Sequence, residues 1–199
     1  MSFFLSAGSI IGLLLIVLVV VALVRAIQIV PQPRALVVER LGKFHSVMYG
    51  GLHVLVPFID RIAARVDLRE QVTSFQPQPV ITADNVVVSI DSVIYYQVTD
   101  PMYATYEIAN FIQAIEQLTV TTLRNVIGSL DLEATLTGRD SINTQLRGVL
   151  DEATGRWGIR VNRVELKAID PPPSIQHAME QQLRAERDKR AAILTAQGV

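Results

Sequence analysis

Few side chains in this sequence have the types and spacing that catalysis or metal binding requires. Its three histidines, His45, His53 and His177, lie far apart, and none has a second histidine at the interval of a metal site. Cysteine is absent, which excludes disulfides, thiolate nucleophiles and cysteine-bound metals. The sequence has neither a Gly-x-Ser-x-Gly elbow nor a Gly-x-x-x-x-Gly-Lys phosphate loop. We therefore predict no catalytic residues, no cofactor and no metal site, and we expect a protein that is not an enzyme.

The composition is unusually apolar for a soluble domain. Of the 199 residues, 50% are hydrophobic and 19% are charged, whereas soluble domains average about 25% charged residues. Eighteen Lys and Arg residues against nineteen Asp and Glu residues give a net charge of −1. A chain this close to neutral is not a strongly basic nucleic-acid binder, so we expect no nucleic-acid partner.

The apolar excess lies at the N-terminus, where residues 2–24 contain no charged side chain. About 20 apolar residues in a helix cross a hydrocarbon core of about 30 Å, so we expect a retained transmembrane anchor within residues 1–30. A cleaved signal peptide is the alternative, but no Lys or Arg precedes the apolar run. The predicted lipid contacts of this anchor are Leu13, Leu14, Ile16 and Val20.

Basic residues follow the apolar run, among them Arg25, Arg34 and Arg40. The positive-inside rule then places the N-terminus outside and the bulk of the chain in the cytoplasm. We therefore predict a single-pass protein of the plasma (inner) membrane.

Beyond the anchor, the residue pattern predicts an α+β fold in which strands precede helices. The clearest strand covers residues 86–98, where apolar residues alternate with a period of two. Apolar residues at three- and four-residue steps predict two amphipathic helices, one ending near Gly128 and one between Gly138 and Gly158. Shorter strands are predicted at 35–40, 62–68, 71–75 and 159–166.

The run at residues 52–59 is apolar apart from His53, and it is too short to span a membrane. One interpretation is a buried strand. The other is a segment that dips into the membrane interface, with Leu55 and Phe58 among acyl chains and Arg61 and Arg65 near headgroups. Both interpretations are open at this stage.

A helix is predicted over residues 175–196, after a stop at 171–173 and with Ser174 as its N-cap. It is either a solvated helix with internal salt bridges or the start of a coiled coil that packs against neighbouring copies. Because helix-forming residues continue to Ala196, we expect a longer natural chain. The oligomerisation candidates are Ile175, Met179, Leu183, Glu186 and Arg190.

Nine short motifs in a fixed order resemble the stomatin/prohibitin/flotillin superfamily, which shares the SPFH or band 7 domain. The sequence is most similar to the bacterial and archaeal stomatin-like branch with a single N-terminal anchor. The motifs are residues 37–44 (VVERLGKF), 50–53 (GGLH), 56–61 (VPFIDR), 67–70 (DLRE), 82–86 (TADNV), 122–128 (TLRNVIG), 157–159 (WGI), 163–166 (RVEL) and the tail over 171–187.

This resemblance implies an anchor at 1–30, a β-rich, membrane-proximal first subdomain at 31–98, an α+β second subdomain at 99–172 and the start of a long helix at 173–199. It further implies a scaffold that homo-oligomerises into a ring or cage, organises a membrane microdomain and regulates membrane proteases or other integral proteins. The expected partners are membrane lipid, other copies of the chain and a membrane protease or an NfeD-type membrane protein. Two alternatives are a non-ring accessory subunit of a protease or transporter and a membrane-tethered hydrolase.

Overall fold

A computed structural model describes the backbone of residues 7–197 and the side chains of residues 12–193. The helices and strands form an α+β fold, as the sequence predicts. In chain order they are α1 (Ala7–Ala26), β1 (Ile27–Val30), β2 (Arg34–Arg40), β3 (Lys43–Met48), β4 (Gly51–Val54), β5 (Asp60–Asp67), β6 (Gln71–Ile81), β7 (Val87–Val98), α2 (Pro101–Tyr106), α3 (Phe111–Gly128), α4 (Leu132–Thr137), α5 (Arg139–Gly155), β8 (Ile159–Asp170) and α6 (Pro173–Gln197).

The described strands form three small sheets. β1 pairs with β4, β2 lies between β3 and β5, and β7 lies between β6 and β8. The pairs β1–β4, β2–β3 and β2–β5 are antiparallel. The β2–β3 connection is a tight turn at Leu41 and Gly42, both with positive φ.

The first core is built around β2, which is buried from Ala35 to Val38. The sequence of a strand buried on both faces is a continuous apolar run rather than an alternating one. On one face of β2, Leu36 and Val38 pack with Val30 and Leu55. This cluster ties β2 to the β1–β4 pair.

The second core uses the alternating strand that the sequence predicts. β7 buries every second residue from Val88 to Val98 and leaves the residues between them partly exposed. Helix α3 buries Ile115, Leu123 and Ile127 along one face, as its three- and four-residue spacing predicts. The helix predicted between Gly138 and Gly158 is confirmed as α5, and its buried residues include Ile142, Leu146 and Leu150.

The chain divides into two compact units, each made of three separate segments. Unit 1 contains the residues up to 71, together with 97–111 and 154–160, and unit 2 contains 72–96, 112–153 and the residues from 161 onward. This division differs from the consecutive subdomains that the sequence suggested, with a boundary between 98 and 99. The physical reason is the sheet in which β8, from the later part of the chain, lies beside β7.

Gly158 joins the two later segments of unit 1. Its carbonyl oxygen accepts hydrogen bonds from the Thr99 N–H (2.8 Å), the Asp100 N–H (3.0 Å) and the Thr99 hydroxyl (3.0 Å). Its φ is +67°, and an added Cβ would lie 2.5 Å from the backbone oxygen of Asp100. This position therefore requires glycine both for its backbone conformation and for the close approach.

Three local features differ from the sequence predictions. Residues 27–30, which were predicted to belong to the anchor, form the separate strand β1. The strand β3 was not predicted, because its residues do not alternate between apolar and polar. Ser174 is not the N-cap of the last helix, since α6 already begins at Pro173. Proline is favoured in the first turn of a helix, because the N–H groups there have no intrahelical acceptor and proline has no N–H to leave unpaired.

Candidate membrane-facing surface

The β1–β4 pair presents an apolar face to solvent; we call these two strands the ribbon. Its register pairs Ile27 with Val54 and Ile29 with Leu52. Because side chains alternate along a strand, these four lie on one face. Their side chains are exposed by 52%, 69%, 79% and 68%, respectively. Four aliphatic side chains that are more than half exposed and adjoin one another favour a lipid or protein contact over a free aqueous surface.

The turn at residues 56–60 exposes a phenylalanine in a strained conformation. Phe58 has φ +70° and is 89% exposed. A bulky non-glycine residue in the left-handed region costs about 1–3 kcal/mol, and such strain concentrates at functional sites. Since its side chain is almost fully exposed, packing within the chain does not offset this cost. Phe58 is therefore the strongest single candidate on this surface.

Asp60 holds this turn in place. Its carboxylate accepts hydrogen bonds from Nε and Nη2 of Arg40 (2.7 and 3.0 Å) and from the Val56 N–H (2.8 Å). The hydrogen bond from Arg40, followed by that from Val56, lowers the pKa of Asp60 from 3.8 to about 2. The carboxylate is therefore ionised near neutral pH, and it fixes both ends of the turn that presents Phe58.

Leu55, predicted to contact lipid, lies mostly within the first core. Leu55 is only 7% exposed and packs with Val30, Leu36 and Val38 in the first core. Within an uninterrupted apolar run, periodicity does not tell which side chains point inward, because every residue fits either face. The structure thus buries most of Leu55 and exposes Phe58, and the lipid contact of each stays a prediction.

Helix α1 places the predicted anchor residues on its surface. Leu13, Leu14, Ile16 and Val20 are each more than half exposed, and their contact with lipid stays a prediction. Over the residues whose side chains are described, no helix has the combined length and apolar character needed to cross a membrane.

Basic side chains lie near this apolar surface along β5. Arg61 and Arg65 are both exposed on this strand. The ribbon residues Ile27, Ile29 and Val54 were missed as individual candidates. Ile27 and Ile29 alternate with Gln28, but this signal adjoins the long N-terminal apolar run and is hidden by it.

Helix α6 carries the predicted oligomerisation residues. Ile175 and Met179 are partly buried, whereas Leu183 is 50% exposed. Arg190 donates a hydrogen bond from Nη2 to Oε1 of Glu186 (2.5 Å), so these two charges pair within the helix. Their role between copies of the chain stays a prediction.

The described residues bring no catalytic group together around the histidines. His53 lies on β4, where Nε2 is 2.6 Å from the Tyr49 carbonyl oxygen, and His45 and His177 are exposed. Across the part of the chain that the structure describes, no group of three or more His, Asp or Glu side chains could hold a metal ion.

The sequence matches a known family over most of its length. A family model described as "SPFH domain / Band 7 family" covers residues 28–198. The chain belongs to this family. An uncharacterized protein of Mycobacterium tuberculosis (strain ATCC 25618 / H37Rv) is 59% identical over 192 residues, which cover 96% of this chain and 50% of that protein.

Two relatives with stomatin names are also similar to this SPFH chain. A stomatin homolog of Pyrococcus abyssi (strain GE5 / Orsay) is 40% identical and covers 92% of this chain and 68% of its own length. Stomatin-like protein 2, mitochondrial, of Rattus norvegicus is 40% identical, with 86% and 49% covered. The chain thus spans about half the length of the mycobacterial and rat relatives. Proteins of this family are generally membrane-associated scaffolds rather than enzymes.

Proposed function

We propose that this SPFH chain is a single-pass membrane scaffold that assembles with copies of itself. The observation that carries this proposal is the continuity of the apolar surface in unit 1. Helix α1 ends at Ala26 and β1 begins at Ile27, so exposed apolar side chains on the helix are followed without a linker by those of the ribbon. An apolar surface of this extent on a monomer is typical of a lipid or protein contact.

In this proposal, α1 is the tether and the ribbon lies at the level of the headgroups. Its apolar face, with Phe58, enters the boundary between headgroups and acyl chains, while Arg61 and Arg65 face anionic headgroups. The basic residues that follow α1 favour a plasma (inner) membrane location with the bulk of the chain in the cytoplasm.

Helix α6 would join neighbouring copies into a ring or cage. Its partly apolar seam repeats at four-residue steps through Ile175, Met179 and Leu183, of which Leu183 is exposed. A helix with an apolar stripe on one side is suited to lateral packing. Many modest contacts between copies held in one membrane plane add up to a stable assembly. Such an assembly would organise a membrane microdomain and control access to a membrane protease, an NfeD-type protein or another integral protein.

Membrane flotation and native mass of the full chain test this proposal. We expect the protein to float with vesicles, to resist carbonate extraction and to have a native mass many times that of one copy. Leu183→Glu should reduce the native mass, because it places a charge on the α6 seam. Gln181→Glu adds the same charge away from the seam and should leave the mass unchanged.

A monomeric wild-type chain would overturn the scaffold proposal and favour the non-ring accessory subunit. A chain extracted by carbonate would overturn the membrane tether. The hydrolase alternative predicts labelling by an activity-based serine probe, which the scaffold proposal does not.

A further inference from the structure

A groove with a volume of about 860 Å³ lies between one side of α1 and the turn that carries Phe58. Leu14, Leu18 and Val21 line it from the helix, where spacings of four and three residues place them on one side. Leu55, Pro57 and Phe58 are among the residues that line it opposite α1. Its volume falls within the range of about 300–1,000 Å³ typical of small-molecule sites.

Polar side chains occupy only part of this groove, and their charges do not balance. Arg25, Gln28 and Asp60 line it. The Asp60 carboxylate is already engaged by two N–H groups of Arg40 and by a backbone N–H. Arg25, in contrast, forms no ion pair with any residue that the structure describes. The groove therefore combines a long apolar wall with one uncompensated cation.

The length of the groove matches one leaflet of a bilayer. From Leu14 to Arg25 the helix rises about 16 Å at 1.5 Å per residue, and half of a hydrocarbon core of about 30 Å is about 15 Å. An extended acyl chain that lies along α1 would thus have its polar end close to Arg25. Arginine is well suited to bind phosphate, because its planar guanidinium presents several fixed N–H donors.

We propose that this groove binds one anionic phospholipid, with an acyl chain along α1 and its phosphate at Arg25 and Gln28. The proposal rests on the membrane placement of α1 given above. It adds that the chain selects an anionic lipid by charge and holds it as part of unit 1. A bound lipid would fill the space between α1 and the Phe58 turn, and would thereby support both.

Photo-crosslinking in nanodiscs tests where the acyl chain lies. The probe is a phosphatidylglycerol with a diazirine in the middle of one acyl chain, incorporated with the full chain, and labelled peptides are identified by mass spectrometry. We expect labels on residues 55–58 and on the groove side of α1. Ala22→Trp should remove these labels, because Ala22 lines the groove. Leu23→Trp is the matched control, since Leu23 is 62% exposed and lies outside the groove lining.

Replacing the cation tests headgroup selection. Arg25→Gln should reduce labelling by phosphatidylglycerol about fivefold, the effect expected of one basic residue at an anionic membrane surface. The same change should reduce labelling by the matching phosphatidylcholine probe less, because the choline ammonium offsets the charge of that lipid's phosphate. Arg34→Gln removes a charge of the same sign outside the groove and should change neither result.

Three outcomes would overturn the inference: labels spread evenly around α1, equal loss in the Ala22→Trp and Leu23→Trp variants, or no headgroup dependence at Arg25. Flotation of each variant separates this failure from failure of the scaffold proposal. A chain that floats but shows no groove labelling refutes the lipid site alone, whereas a chain that does not float refutes the membrane placement on which both depend.

Discussion

Replacing Phe58 by serine should release the turn at residues 56–60 from the membrane interface. Full burial of a Phe side chain contributes about 1.5–3 kcal/mol, and 89% of Phe58 is available for burial in lipid. Phe58→Ser should therefore lose about 2 kcal/mol of insertion free energy, which is roughly a 30-fold change in the ratio of inserted to free turn. Phe58→Leu keeps most of the apolar area and should stay inserted.

The assay uses the absence of cysteine from the chain. A single cysteine at Ile59, labelled with an environment-sensitive fluorophore, reports the polarity around the turn in the full chain reconstituted in vesicles. We expect a blue-shifted signal, protected from an aqueous quencher, in the Phe58 and Phe58→Leu proteins but not in Phe58→Ser. A label at Val149, an exposed apolar residue of α5 outside the candidate surface, should be accessible to the quencher in all three.

Two results would refute this reasoning. The first is a turn that the aqueous quencher reaches equally well in the wild-type and Phe58→Ser proteins. The second is a loss of thermal stability in Phe58→Ser, since an exposed side chain should contribute little to folding. For comparison, Leu55→Ala should destabilise the fold by about 2–5 kcal/mol, because Leu55 is buried in the first core.

Two further predictions concern the framework of the fold. Gly158→Ala should destabilise the fold by at least about 2 kcal/mol, since the new Cβ would be strained at positive φ and would clash with backbone. In Gly148→Ala, the control variant, the new Cβ meets no atom within 4 Å, and the change should stabilise α5 by about 0.5–1 kcal/mol. Similar unfolding temperatures for the two variants would contradict the geometry. The pKa of Asp60 is about 2 in the folded chain, below its ordinary 3.8, so its contribution to stability should be complete above pH 4 and should be lost as the pH falls through about 2. Carboxyl NMR should show the pKa of Asp60 rising toward 3.8 in Arg40→Gln. It should be unchanged in Arg69→Gln, because the guanidinium of Arg69 pairs with Asp67 instead. An unchanged pKa of Asp60 in Arg40→Gln would exclude Arg40 as the cause.

The sequence predicts the elements with a clear period and misses those without one. The alternation along β7 predicts which face is buried, because successive side chains of a strand point to opposite faces and the more apolar face packs inward. In the run at 52–59, which is apolar apart from His53, no such contrast exists around Leu55 and Phe58, so the inward position of the one and the outward position of the other could not be told apart. The pairing of β8 with β7 is also invisible to local patterns, because it joins residues far apart in the chain.

The candidate surface was predicted only in part, because local patterns do not show which distant segments lie side by side. Phe58 was named because an apolar run too short to span a membrane is unusual, but the ribbon requires knowing that β1 lies opposite β4. Similarly, the groove beside α1 depends on how a distant turn returns to the helix, and no spacing within either segment encodes that approach.

The discontinuous composition of unit 1 has a consequence for biosynthesis. Its last segment, residues 154–160, is translated roughly 90 residues after residue 71, a delay of about 5–20 s at common elongation rates. During that interval, the ribbon and the Phe58 turn have left the ribosome while the unit still lacks the segment that contains Gly158. A nascent chain in this state exposes the apolar side chains of the ribbon and of the Phe58 turn, and exposed apolar surface promotes aggregation. Early capture of α1 by the membrane insertion machinery would therefore shelter the chain until residues 154–160 are made.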